Sequence, residues 1–266
     1  MCSDTRLAYN ISGVNLLPEQ EKLAIYTRLL PQPLLDRFDL TPPFVDHQGN
    51  SLLILHCPAG SMDAELKLYH RVDADDPVLF GHISDTINGQ VRMLLYVIND
   101  PDSPRFDVDH MPDGTPTIFG TNQRNLEAEI AAMQSGLAPG QIHRGLRMLG
   151  IAIQAFDRFV QSLGATMYFA DPLYYHTAIM FEHHGFAYEK GRRFMERIQQ
   201  GFAPGGDLLD KLDGSTPFRQ PEAANSIRLR SWAIHDDLFG EPYTNVTMYK
   251  MIGRSFDIDT SSGCPW

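Results

Sequence analysis

Residues 144–186 read RGLRMLGIAIQAFDRFVQSLGATMYFADPLYYHTAIMFEHHGF, and this stretch decides the fold. Apolar residues recur in steps of three and four through Leu146, Leu149, Ile153, Phe156, Val160 and Leu163, the period of one helix face. The spacing predicts a helix over 146–163, stopped by Gly164. Leu149, Ile153, Phe156 and Val160 should then face a sheet, with Asp157, Arg158 and Gln161 turned outward. A strand over 166–170 closes at Asp171-Pro172, a helix over 174–184 ends at Gly185, and 186–189 begins another strand. Helices interleaved with strands in this order cover a sheet.

Upstream, residues 51–57, 64–71, 78–86 and 91–98 read as strands, the last nearly continuously apolar and therefore expected to be central and covered on both faces. Asn88-Gly89 predicts a two-residue type I′ hairpin. Before the strands, Pro18-Glu19-Gln20-Glu21 opens a helix that Pro31-Gln32-Pro33 ends, and a short helix over 34–38 follows. Residues 99–141 form a long insertion rich in turn formers, with one helix over 125–134 capped by Gly136. After a basic helix over 192–199 comes a polar linker, so that 190–225 is read as one connecting region. Strands are expected at 226–234 and 245–252, around a turn at Gly240-Glu241-Pro242, and the tail over 255–266 is expected to be loose. Length and composition allow one decorated domain or two small ones, and the elements read as the α/β (α+β) class, helices covering a sheet, with a long insertion and a C-terminal extension.

Composition narrows the function. The net charge of −11, from 33 acidic and 22 basic side chains, repels phosphate backbones and anionic bilayers, which argues against nucleic-acid and membrane partners. Cys2, Cys57 and Cys264 match no paired metal spacing and suggest no disulfide framework. The opening, Met1-Cys2-Ser3-Asp4-Thr5-Arg6, lacks the apolar run of a secretory signal, and no run of apolar residues is long enough to span a bilayer. A cytoplasmic location is the resulting expectation.

The segment Arg144-Gly145-Leu146-Arg147-Met148-Leu149, the long helix, Leu163-Gly164, the following strand and Phe181-Glu182-His183-His184-Gly185-Phe186 resemble, in order and spacing, the GNAT N-acetyltransferase superfamily. In that superfamily a loop of form Arg-x-x-Gly-x-Gly/Ala holds the pyrophosphate of acetyl-CoA on backbone N–H groups at a helix N-terminus. The resemblance implies a single domain over 1–266 with a mixed, mostly antiparallel central sheet flanked by helices, in which 91–98 and 166–170 are neighbouring strands that splay apart, with acetyl-CoA or another acyl-CoA as cofactor. It also implies an amine or other small-molecule acceptor, and leaves a homodimer open. The cofactor residues it implies are Arg144, Gly145, Leu146, Arg147, Met148 and Leu149, with Arg147 and Leu149 standing where the superfamily has small residues. Phe181 stands where many members have a tyrosine acid, so Tyr174, Tyr175 and His176 become the catalytic candidates. A GNAT-like protein that uses the cleft for another ligand or a protein partner, without acyl transfer, is the competing expectation.

Other clusters carry simpler readings. Asp107, Asp109, His110 and Asp113 match neither a calcium loop nor a zinc helix, and the sequence predicts a solvated acidic loop and no metal site. Asp100, just past the central strand, could serve as a carboxylate base but sits in an ordinary Asn-Asp-Pro turn.

Overall fold

The structure, a computed structural model, describes residues 9–118, 123–240 and 243–266. Cys2 and the turn residues Glu241 and Pro242 lie outside the described residues. In chain order the elements are α1 (Ile11–Val14), α2 (Glu19–Tyr26), α3 (Gln32–Arg37), β1 (Leu53–His56), β2 (Asp63–Leu68), β3 (Leu79–Asp85), β4 (Val91–Ile98) and α4 (Leu126–Gln134). They continue with α5 (Leu149–Ser162), β5 (Met167–Ala170), α6 (Tyr175–His183), β6 (Ala187–Lys190), α7 (Arg192–Phe202), α8 (Asp207–Asp210), α9 (Ile227–His235) and β7 (Thr247–Met251). The strands form one mixed sheet of order β1-β2-β3-β4-β5-β7-β6. Among the described residues no helix is long and apolar enough to cross a membrane.

The chain divides into two compact units. One comprises Met1–Pro101, Gly145–Asp171 and Tyr249–Ser255; the other comprises Asp102–Arg144, Pro172–Met248 and Phe256–Trp266.

In the first unit, β1 to β4 pair antiparallel in sequence order, and β4 pairs parallel with β5. The β3–β4 connection has Gly89 at φ 72° while Asn88 keeps a negative φ, with Gly89 N–H donating to Thr86 O at 2.8 Å. It is a three-residue loop with glycine in the left-handed region, not the type I′ turn expected, because a single positive-φ residue completes a type I turn with a bulge. Helix α5 begins at Leu149, three residues later than its apolar stripe suggests. Ile153, Phe156 and Val160 are buried as expected, Leu149 only partly, and Arg158 and Gln161 are exposed. Asp157 is half-buried because it accepts a hydrogen bond from Tyr168 Oη at 3.0 Å. The ring of Phe156 lies 4.7 Å from Tyr168 of β5 and 6.2 Å from Tyr96 of β4, centroid to centroid, so one side chain of α5 packs on both parallel strands.

In the second unit the long insertion contributes to a core of its own, in which Val108, Ala132 and Leu137 pack with Phe218 and Trp232. Trp232 lies on α9, where the sequence reading expects a strand. Ile227, Arg230, Ser231 and Ile234 are all buried at helical steps, and Ser226 caps the helix by accepting from Leu229 N–H, so the buried polar Arg230 and Ser231 hide a helical period that apolar residues alone do not show. The tail is not loose. Buried Glu182 accepts from Thr260 N–H at 2.9 Å and Thr260 Oγ1 at 2.7 Å, and Ile227 N–H donates to Pro265 O at 2.8 Å.

The Phe181…Gly185-Phe186 signature has a local cause. Helix α6 ends with Gly185 at φ 77°, Phe186 N–H donating to Phe181 O at 3.1 Å, and the rings of Phe181 and Phe186 stacked at 4.7 Å. These are the 6→1 hydrogen bond and accompanying apolar contact of a Schellman cap, which requires glycine between the two aromatics.

Candidate functional site

In the first unit β4 runs on past the end of its parallel neighbour β5. Parallel pairing between β4 and β5 is limited to Arg92 with Phe169 and Met93 with Ala170. Beyond that point β4 carries a bulge. Ile83 pairs with Met93 but His82 pairs with Leu95, which leaves Leu94 as the extra residue. From Leu94 to Ile98 every residue is only half-buried, whereas Val91 and Met93 are buried. A central strand covered on both faces is therefore the wrong picture for its second half, because β5 ends at Ala170, opposite Met93. The far end is met by the chain entering α5, through a bridge between Asn99 and Gly145. The result is an apolar floor five residues long, bounded by the last β4–β5 pair and by Gly145.

The start of α5 borders this floor at Gly145. Its first helical bond runs from Ala152 N–H to Met148 O at 2.8 Å, and Met148 supplies no side-chain cap. The N–H groups of Leu149, Gly150 and Ile151 donate to nothing among the described residues, which leaves the positive end of a 14-residue helix unsatisfied. Arg147, one residue before Met148, holds φ 58°, a left-handed conformation that costs a non-glycine residue of order 1 kcal/mol. Its side chain is exposed and makes no hydrogen bond or ion pair among the described residues.

Of the six residues expected at this loop, Gly145, Leu146, Arg147, Met148 and Leu149 come together here. Arg144 belongs to the second unit, where its guanidinium donates to Ser135 O at 3.1 Å. Ser135 follows α4, whose terminal carbonyls lack intrahelical partners and attract cations; Arg228 donates to Met133 O at 2.9 Å in the same way. The sequence reading missed Gly150 and Ala152. Arg147-Met148-Leu149-Gly150-Ile151-Ala152 itself has the form Arg-x-x-Gly-x-Ala, three residues after the alignment set on Arg144, and the two small residues are its signal.

The three catalytic candidates lie in the second unit. Tyr174 precedes α6 and its ring stacks on His176 at 5.5 Å. Tyr175 is buried, its Oη has no hydrogen-bond partner, and burial, eased by Arg230 nearby, pushes its hydroxyl up to about 12. His176 is buried between Tyr174 and Trp266, with Nδ1 2.9 Å from Ser231 Oγ. Desolvation first, then the charge of His235, lowers it to about 3, so its imidazole is neutral throughout the physiological range.

Around Asp107 and Asp109 the acids are paired with Arg105, which donates to both carboxylates, and His110 Nδ1 lies 3.1 Å from Asp109. Among the described residues no three His, Cys, Asp or Glu side chains are placed to share a metal ion. Asp100 faces Arg37 at 3.7 Å. Cys57 and Cys264 are free thiols. Compared with protein families, curated proteins and solved structures, the chain has no match.

Proposed function

We propose that this chain is a divergent GNAT-type N-acyltransferase, in which an acyl-CoA lies along the open half of β4 with its pyrophosphate at the start of α5. The observation that carries this reading is the end of β5 opposite Met93, after two paired residues, which leaves Leu94–Ile98 as a half-buried apolar floor. Pantetheine is a thin, mostly apolar arm with two amides, suited to such a floor beside strand backbone. Pyrophosphate suits the unsatisfied N–H groups of Leu149, Gly150 and Ile151, with the Arg147 guanidinium adding a charge-assisted contact. Gly150 in the first turn lets backbone approach phosphate closely.

In the reaction, an amine nitrogen attacks the thioester carbonyl, the new C–N bond forms and the C–S bond breaks. Coenzyme A leaves as a thiolate and takes up the proton the nitrogen loses. No protein nucleophile is needed; positioning supplies the rate. Phe181 has no proton to give the thiolate and serves to close α6, an observation that favours the second reading, a GNAT-like protein that binds a ligand without transferring an acyl group.

Calorimetry with coenzyme A tests the proposal. We expect binding to the unaltered protein, weakened tenfold or more by Arg147→Ala at low salt and less so at high salt, because an exposed phosphate contact is screened. Arg144→Ala should change it little. No heat at millimolar coenzyme A would overturn the reading. Binding without amide product, followed by mass spectrometry over a panel of amines with acetyl-CoA, would select the non-enzymatic alternative.

A further inference from the structure

Arg92 and Asp171 mark the closed end of the split. Arg92 is the β4 partner of Phe169, and Asp171 lies two residues beyond Phe169, so strand alternation puts all three side chains on one face, opposite the face on which Tyr168 meets α5. Asp171 N–H donates to Met93 O at 3.2 Å, which fixes this residue where the strands part.

The two side chains form an ion pair but no hydrogen bond with each other. Arg92 Nη1 lies 3.5 Å from Asp171 Oδ2, and neither side chain makes a hydrogen bond with any described residue. Arg92 Nε and Asp171 Oδ1 are both shut off from solvent without a partner. Other arginines of this chain close on their carboxylates: Arg124 donates to Glu129 at 3.0 Å and Arg105 to Asp109 at 2.8 Å. A guanidinium and a carboxylate this near ordinarily form two parallel hydrogen bonds, and leaving a buried donor and acceptor unused is costly. Here a donor fork and an acceptor stand side by side in a loose ion pair, with Arg92 Nε and Asp171 Oδ1 left without hydrogen bonds and 34% and 27% of the side chains still exposed.

We propose that Arg92 and Asp171 bind the head of a free α-amino acid, the carboxylate accepting from the Arg92 fork and the ammonium donating to Asp171. One charge of each sign, separated by a single carbon, is the guest that satisfies both groups at once. An amine alone leaves the Arg92 fork unspent, and a carboxylic acid alone leaves Asp171 unspent. Resting on the acyltransferase reading, this assignment names the acceptor class and sets its nitrogen at the closed end of the split. Rotation of partly exposed side chains, a nanosecond event, opens the inner atoms to the guest.

The test is calorimetry of each of the twenty L-amino acids against the full chain, with and without coenzyme A. At least one should bind, and its decarboxylated amine and its N-acetyl form should each bind about tenfold or more weakly, the effect of one lost charged hydrogen bond. Arg92→Lys keeps the charge but removes the fork, and Asp171→Asn keeps the shape but removes the charge. Each should weaken binding by a similar factor while the unfolding temperature stays near that of the unaltered protein. The proposal fails if no amino acid binds in either condition, or if binding is the same in both variants. Coenzyme A binding without amino-acid binding sinks this assignment and leaves the acyltransferase reading standing. Amino-acid binding that depends on both residues, without coenzyme A binding, does the reverse.

Discussion

The two units keep their interiors in different ways. The first rests mainly on rings, with Asp85 and Lys250 among its few buried charges: Tyr26, Phe156, Phe159 and Tyr168 are fully buried and touch one another in series, Tyr26 to Phe159 to Phe156 to Tyr168. The second buries charge. Glu129 accepts from Arg124 and faces His235 at 3.1 Å, while Asp236 takes Arg124 at 3.1 Å, Arg219 at 3.2 Å and Thr216 at 2.7 Å. Glu182 collects Thr260 and Tyr188. An apolar interior is sensitive to volume and indifferent to pH, whereas a buried polar one depends on each group keeping its protonation state.

Acid should therefore separate the two units, and this is the largest effect we expect. His176 has its folded value depressed to about 3 from the ordinary 6.5. Below pH 6.5 the unfolded chain takes up a proton that the folded chain refuses, so stability present above 6.5 is lost progressively as pH falls toward 3. The loss approaches roughly 5 kcal/mol. Burial works to raise Glu129, but hydrogen bonds from His235 and Arg124 outweigh it and hold the carboxyl below its ordinary value. Its stabilisation is present above the unfolded value of 4.5 and fades as pH drops through the lower folded one. Both tryptophans, Trp232 and Trp266, lie in the second unit, so their fluorescence during an acid titration reports on it alone. His176→Asn should flatten the slope between pH 6.5 and 4.5; an unchanged slope would show that His176 does not carry it.

Volume should strike the first unit instead. Phe156→Ala removes a fully buried ring that touches both strands bordering the split, and should cost about 3–5 kcal/mol at neutral pH in chemical denaturation. A denaturation midpoint equal to that of the unaltered protein would mean that the aromatic series is not what holds α5 to the sheet.

The smallest effect has the opposite sign. Arg147→Gly relieves the left-handed strain at φ 58° and should raise stability by up to about 1 kcal/mol, while coenzyme A affinity falls through loss of the guanidinium. A variant that gains stability and keeps its affinity would separate the strain from the proposed site.

The sequence by itself determined the elements whose signal is local and apolar. β4 occupies Val91–Ile98 as read, and the stripe Ile153, Phe156, Val160 is buried on α5. Glycine after α6 fixed its end, because a residue at φ 77° is specified by its own lack of a side chain. That β4 and β5 are neighbours was expected from the resemblance and not from the residues of either strand, and their parallel direction is a finding of the structure. Where burial is polar, local signals failed: α9 read as a strand because Arg230 and Ser231 occupy its inner face, and the tail read as loose because its anchor, Glu182, lies 78 residues before Thr260. Only the tertiary structure decided where β5 leaves β4, since a bulge at Leu94 and the loss of pairing beyond Ala170 are properties of two strands together. Only it showed that α5 starts at Leu149, so that Arg147, not Arg144, is the arginine next to its N-cap. Helix periodicity is blind to the first turn, because a stripe of leucines continues through a loop as readily as through a helix, and what ends the helix there is the left-handed backbone at Arg147.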